Sequence, residues 1–421
     1  MAGRESLVWR SSLHVFAITS LSQVTAAQWD ALCPPDSPFL EHRFLYGLEL
    51  SESVGRQAGW MPLYLLVVED TAIPDDPADA LDPGAELLGA APCYVKTNSY
   101  GEFIFDWQWA DAFYQLGRRY YPKLVIATPF TPVTGQRILL AEHAPEETFA
   151  ALADGARALA EQFSASSVHW LFTQQAEAQG LVERGYIHRL SHQNHWIDQD
   201  YGDFEGFLAP MRSRARKQIR AERRKGQAHG LELMVLRGDE MSDDAWQAIG
   251  RLYRKGCHRY GSAGYLTDAF FEHLQSEMPE RVVCSLARDA GLSGPEQWVA
   301  GTLNFQKGDA LYGRYWGCDR EYDHLHFELA FYQLIEACLA RGWRRFEAGA
   351  GGDHKVRRGL SPKLCHSAHW IADEELHAAV DQWVSREKEH TERYTEALVL
   401  RGTGHRPHHG NSGYDPKSSQ S

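Results

Sequence analysis

Glu347 and the run Gly349-Ala350-Gly351-Gly352-Asp353-His354-Lys355 gather groups that chemistry needs. Glycine lets backbone approach a ligand closely or turn with φ > 0, so Gly349 and Gly351 can bring amide N–H groups to an anion or make a tight turn. Glu347 is a candidate general base, or else a strand acid paired with Arg344 or Arg358. His354 and Lys355 could bind a carboxylate or phosphate, or cap the turn.

Two further groups stand apart from that loop. Arg212, Arg216, Arg220 and Arg224 recur at i, i+4 steps, with Lys217 among them, which lays a basic stripe on one helix face. Like charges at that spacing repel, so either solvent or an anion offsets them: the phosphates of a cofactor, of RNA or of a lipid precursor. In the block Ser99–Asp111, Glu102 and Asp106 sit among Tyr100, Phe103, Phe105, Trp107 and Trp109. A carboxylate buried there must find a partner or have its pKa raised, which makes Glu102 and Asp106 candidates for substrate contact. The alternative is an aromatic face whose acids lie in water. The pairs His324-x-His326 with Glu328, Cys257-His258 and Cys365-His366 form no complete metal-ligand set, and no GxSxG motif is present.

The elements that must position these groups are legible in part. Leu311–Gly317 predicts an aromatic strand and Arg345–Ala348 a second one. Between them Phe327, Phe331, Leu334, Ile335 and Cys338 recur at 3/4 spacing, with Asp323 as expected N-cap and Gly342 as C-cap. Strand, helix and strand form a βαβ unit, so the two strands should be parallel. Upstream, strands are expected at Leu13–Ile18, Leu63–Val68, Glu86–Lys96 as one return strand, Tyr121–Ala127 and Val168–Phe172. A short helix and two more strands then reach Ile197. Helices are expected at Glu146–Phe163, Ala245–Tyr260, Thr267–Ser276 and Glu374–Ala397, and a hairpin pairs Arg281–Arg288 with Trp298–Gln306. The halves echo each other: Leu87–Ala91 and Trp298–Thr302 each precede a strand, a helix and a strand, which suggests duplication.

A chain of 421 residues predicts two domains, and 43% hydrophobic with 24% charged content is that of an ordinary globular protein. The net charge of -13 argues against a general nucleic-acid binder while leaving room for a local basic patch. Seven cysteines without a CxxC pair read as reduced core residues. With no apolar run of spanning length and no signal-peptide pattern, the expectation is a cytoplasmic enzyme.

Several motifs together resemble the FemAB-like peptidoglycan biosynthesis/recognition family, also described as N-acyltransferases. They are Tyr100-Gly101-Glu102 with Phe105-Asp106-Trp107, Tyr121-Pro122-Lys123-Leu124, Pro129–Gly135, Gly313–Gly317, and Arg345–Ala350 with His354-Lys355. The resemblance covers nearly all of residues 12–398. It implies an α/β (α+β) fold of tandem GNAT-like domains, each a mixed sheet with flanking helices, at 12–198 and 199–400. Residues 1–11 would be an N-terminal segment and 401–421 a disordered tail. In that fold an acyl thioester lies in a splay between two parallel strands, with its pyrophosphate on a helix N-terminus. The related Fem enzymes use aminoacyl-tRNA instead. The chain departs from the usual GNAT phosphate loop: acidic Asp319–His324 precedes the helix, leaving the Arg212–Lys225 stripe as an alternative phosphate site.

Acyl transfer to an amine needs a base and a donor for the developing oxyanion. Under the resemblance Glu347, His354 and Lys355 are the catalytic candidates, and Arg212, Arg216, Lys217, Arg220, Gly349 and Gly351 the cofactor-binding ones. Glu102, Asp106, Trp109, Tyr121, Lys123, Arg314, Tyr315 and Trp316 are the substrate-binding candidates, and backbone N–H groups near Gly313–Gly317 or the glycine loop could hold the oxyanion. Three readings stay open: an N-acyltransferase using acyl-CoA or acetyl-CoA without metal, an aminoacyl-tRNA-dependent peptidyltransferase, or a non-catalytic peptide- or glycan-binding module. The acceptor under the first two is a small-molecule or peptide amine.

Overall fold

A computed structural model describes residues 13–69, 79–259, 261–262 and 264–402. The expected N-terminal segment at 1–11 and the part of the expected tail from 403 onward lie outside the described residues. The first half supplies β1 (Leu13–Ile18), β2 (Trp60–Pro62), β3 (Tyr64–Glu69), β4 (Gly89–Ala91), β5 (Cys93–Lys96), β6 (Lys123–Ile126), β7 (Leu139–Leu140), β8 (Ser167–Thr173) and β9 (Ile187–Ile197). The second supplies β10 (Glu232–Arg237), β11 (Val282–Arg288), β12 (Trp298–Lys307), β13 (Ala310–Cys318), β14 (Arg345–Glu347) and β15 (Ser361–Ile371).

The expected return strand Glu86–Lys96 is divided. Pro92 has no N–H to give a ladder, and the chain changes sheet there: β4 joins the sheet β1-β3-β4-β7, while β5 joins the 11-stranded one. The two strands expected before Ile197 are one 11-residue strand, β9.

The large sheet runs β10-β11-β12-β13-β14-β9-β15-β8-β6-β5-β2. Two parallel pairs, β13 with β14 and β6 with β8, are related across its middle. Each is a βαβ unit, through the helix ending at Arg341 and through the helix Glu147–Gln162. The fold is thus mixed α/β in two repeated halves, of the tandem GNAT-like kind. The halves exchange strands at the centre: β9 lies between β14 and β15, and β15 lies between β9 and β8.

The helix after β13 buries its apolar stripe as its spacing demands. Phe331, Leu334, Ile335 and Cys338 pack with Leu311, Phe346 and Trp196. Gly342 closes the helix with φ 72. Asp323 does not cap its start. His324 holds that position with φ 62, and the Asp323 carboxylate instead binds the His324 ring and lies 3.4 Å from the Lys225 ammonium. The stretch Glu328–Tyr332 is a π-helical turn, a distortion that often accompanies functional sites.

Candidate functional site

β13 and β14 share only three rungs: Ala310 with Arg345, Leu311 with Phe346 and Tyr312 with Glu347. Beyond Tyr312 the strands part. β13 continues along β12, whereas β14 ends and the chain turns away at Gly349 (φ 77), Gly351 (φ 67) and Gly352 (φ 88). Only glycine adopts such angles without strain, so the loop's composition is a conformational requirement. The fork holds an open cavity of about 500 Å³. Gly313–Trp316 form one side and Ala348–Gly352, His354 and Lys355 the other. Tyr253 and Cys257 from the helix Asp243–Arg259, His326 and Phe331 from the helix after β13, and Phe103 and Pro132 from the first half complete the wall.

The strand pairing also skips a residue at this point. Leu303 faces Tyr315 and Asn304 faces Gly313, which leaves Arg314 opposite nothing on β12. Such a bulge re-aims a side chain and releases a backbone amide from the ladder. Arg314 donates to the Phe130 carbonyl, and Tyr315 Oη does so at 3.3 Å. The fork is thereby tied to the first half.

Lys355 is a positioning residue in this geometry. Its buried Nζ donates to the carbonyls of Ala348 (2.8 Å), Gly349 (2.8 Å) and Ala350 (3.2 Å). Burial and Arg314 lower its pKa to about 8. His354 lines the cavity and is held below the ordinary histidine value by burial and by Arg358 and Lys355. His326, which sequence reading weighed only as half of a metal pair, also lines the cavity. Burial, His354 and Arg358 hold it at about 4, so it is neutral at pH 7. Cys257 likewise figured only in a local metal pair, and Tyr253 went unrecognised, because their helix lies far from the glycine loop in sequence.

Glu347 faces a second cavity, of about 350 Å³, at the base of the fork. Its side chain is 2% exposed, and burial pushes its pKa up to about 7 against the pull of Arg345. His195 Nε2 lies 3.8 Å from Glu347 Oε2 and Arg345 Nε 3.4 Å from Glu347 Oε1. Glu347 Oε2, His195 Nε2 and Arg345 Nε have no hydrogen-bond partner.

The remaining candidates fall into two separate places. Lys123 Nζ donates to Glu102 Oε2 (2.8 Å), to Ser99 Oγ (2.9 Å) and to Asp106. Tyr120 Oη donates to Asp106 at 2.5 Å, and Tyr121 shares a hydrogen with Ser99 at 2.8 Å. Burial raises Glu102 to about 7 despite Lys123, whereas at Asp106 burial is overcome by Lys123, His169 and Ser99 together, which lower it. Trp109 is buried beneath the Arg189 guanidinium, 4.9 Å from its ring. None of these five candidates lines either cavity.

The basic stripe lies on the helix Ser213–Gln227 and lines neither cavity. Arg216 donates to the carbonyls of Ala209 and Met211, and Arg220 pairs with Glu205. Arg212, Arg214, Lys217 and Arg224 are exposed and pair with no acid among the described residues. The inner face of the same helix reaches the fork's surroundings: Arg223 binds Glu328 and Glu336, and Glu222 binds Arg358 at 2.9 Å.

The start of the helix after β13 is occupied by the chain itself. The Leu325 N–H donates to Tyr322, and the N–H groups of Phe327 and Glu328 to His324. The buried Glu328 carboxylate sits in the first turn, and Asp319 binds Arg251 and Lys255.

The first-half fork, by contrast, is filled. Past β6 and β8, the Gly135 N–H donates to Phe172. Arg137, 2% exposed, donates to the carbonyls of Leu171 (2.9 Å) and Val133 (2.6 Å). Among the described residues no helix is long and apolar enough to cross a membrane.

Comparison with known proteins adds the following. The sequence matches the FemAB-like family, described as peptidoglycan biosynthesis/recognition, over residues 20–403. No curated protein matches. Among solved structures, FemX aligns over 85% of this chain and 98% of its own at 13% identity and a TM-score of 0.48. A tandem GNAT protein from the clavulanic acid biosynthesis pathway aligns over 86% and 99% at 10% identity and a TM-score of 0.43. L-PGS from Bacillus licheniformis aligns over 75% and 87% at 11% identity and a TM-score of 0.42.

Proposed function

Because the chain belongs to the FemAB-like family, we propose that it is a transferase that moves an activated acyl or aminoacyl group, seated in the β13/β14 fork, onto an amine. The observation that carries this reading is the contrast between the two forks: one open, the other filled by Arg137 and its neighbours. In the open fork the acyl carbonyl lies beside the bulge at Arg314, where a backbone amide released from the ladder stabilises the developing oxyanion. Glu347 is the base that frees the amine nitrogen, its raised pKa matching it to neutral pH. Lys355 fixes the glycine loop, and His326, His354 and Trp316 shape the acyl pocket.

For the donor, the observations weigh toward an aminoacyl ester carried on tRNA over acyl-CoA. A coenzyme pyrophosphate would need open amides at the helix start, and the N–H groups of Leu325, Phe327 and Glu328 are taken. The exposed Arg212, Arg214, Lys217 and Arg224 supply a phosphate-binding face outside the cavity.

The test is donor cleavage by the purified full chain, offered acyl-CoAs and a set of aminoacyl-tRNAs with a mixture of primary amines. The expected result is cleavage of aminoacyl-tRNA, lost in Gly313→Leu, which fills the fork. Cleavage of acyl-CoA alone would overturn the choice of donor, and cleavage of neither the transferase reading.

A further inference from the structure

The second cavity has no part in holding the donor, yet it is built as a binding site. Its deep end is made of side chains more than nine-tenths buried, Glu347 at 2% and His195 at 7% exposure, with Arg345 beside them. All three present a polar atom without a hydrogen-bond partner. A buried polar atom left so costs of order 1–3 kcal/mol, which something entering the cavity would recover. The other end is polar and open, with Gln136 half-buried and Gln174 exposed. The cavity ends at the last rung of the fork, since Tyr312 and Glu347 line it while their successors Gly313 and Ala348 line the donor cavity.

We propose that this second cavity is the acceptor site, and that it takes a primary amine head first on a slim chain with a polar tail. The proposal rests on the transferase reading above and gives that reaction its second substrate and its direction of approach. An ammonium group donates to Glu347 Oε2 and to the neutral His195 Nε2; of the cations lining the same cavity, Arg345 is paired with Asp36 at 2.8 Å and Lys363 is half-buried. An apolar head would leave Glu347 Oε2 and His195 Nε2 unpaired, whereas an ammonium pairs both; the Arg345 Nε–H is itself a donor and does not tell the two apart. The amide groups of Gln136 and Gln174 suit a polar tail.

The step balances. Glu347 takes one proton from the ammonium, and the nitrogen lone pair forms the C–N bond at the acyl carbon in the fork. The bond from that carbon to the donor's ester oxygen, or thioester sulfur, breaks. The second nitrogen-bound proton passes to that leaving atom, and Glu347 later returns its own to solvent.

Binding of simple amines, without any donor, tests the proposal. The probes are n-butylamine, L-lysine and D-glucosamine, titrated calorimetrically at pH 7 in two buffers of different ionisation enthalpy. Because Glu347 titrates at about 7, cation binding should hold it ionised and release about half a proton. We expect saturable binding of n-butylamine or L-lysine with that release, loss of the release in Glu347→Gln, and loss of binding in Gln136→Trp, which blocks the mouth. No saturable binding by any probe would overturn the proposal. So would binding indifferent to both substitutions, or binding lost in Gly313→Leu and kept in Gln136→Trp, which would put the amine in the fork. Donor cleavage is measured separately, so failure of the transferase reading leaves this result interpretable.

Discussion

Replacing Glu347 by glutamine should make the protein more stable above neutral pH. The wild-type carboxyl has an ordinary value of 4.5 and is pushed up to about 7 by burial in the folded chain. Between those values the folded state binds more protons than the unfolded state, so stability falls as pH rises through the window. The shift from 4.5 to about 7 corresponds to a penalty of about 3 kcal/mol at pH 8 and about 1 kcal/mol at pH 5. Glutamine keeps the shape and carries no proton to lose, so the variant should gain roughly 2 kcal/mol on wild type between pH 5 and pH 8. Glu102 and Lys96 at about 7, and Lys355 at about 8, titrate in both proteins and drop out of the difference. The assay is urea unfolding of both proteins at several pH values, with carboxyl-labelled glutamate resonances as a direct reading of the titration. Parallel pH profiles, or a Glu347 resonance titrating near 4.5, would refute the reasoning. The same substitution should lower the rate of transfer by ~10²–10⁴-fold, the usual worth of a positioned base.

Three further outcomes are expected. Lys123→Met should destabilise by about 3–5 kcal/mol, because Glu102 and Asp106 would lose their buried counter-ion; adding Glu102→Gln should restore part of it. Denaturant midpoints read both. Gly256→Ala or Gly317→Ala should cost at least about 1–3 kcal/mol and disturb the fork, since a Cβ on either overlaps backbone across the contact between β13 and the helix Asp243–Arg259; melting temperature and donor cleavage check this. Lys217→Glu with Arg224→Glu should weaken tRNA binding and flatten its salt dependence without lowering the melting temperature, whereas Arg220→Glu would set two acids together at Glu205; filter binding at several salt concentrations reads the difference.

The second βαβ unit was legible because its signals are local. An aromatic strand, an apolar stripe at 3/4 spacing and Gly342 as C-cap all fall within one short stretch and agree. The glycine loop was legible for the same reason, though the three carbonyls that occupy Lys355 could not be read from spacing. What escaped depends on distant pairing. Nothing near Ile187–Ile197 says that this strand will lie between β14 and β15. The acids Glu102 and Asp106 were rightly singled out as needing a partner, but that partner, Lys123, was read as a ligand contact instead of the cation that buries them. Repulsion along the basic stripe was anticipated. Its relief is local and uneven: Arg216 folds onto backbone carbonyls, Arg220 takes Glu205, and Arg212, Arg214, Lys217 and Arg224 stay exposed to solvent.

The strand exchange explains how one fork can be filled without the first half losing its use. Because β9 lies between β14 and β15, His195 is placed next to Glu347 and β9 becomes part of the wall of the second cavity. The network around Lys123 holds Ser99 and the acids of the 102–106 segment, and so sets Phe103 in the wall of the fork cavity. The loop that closes the first fork also carries Phe130, whose carbonyl holds Arg314 and Tyr315. Loosening the first half should therefore damage the second half's fork even though, His195 apart, no first-half residue need touch the reacting atoms. Arg137→Met makes the case testable: it leaves the carbonyls of Val133 and Leu171 without their donor, at about 1–3 kcal/mol each. It should lower donor cleavage along with stability. A variant that melts early but cleaves donor at the wild-type rate below its transition would mean that the two halves work independently.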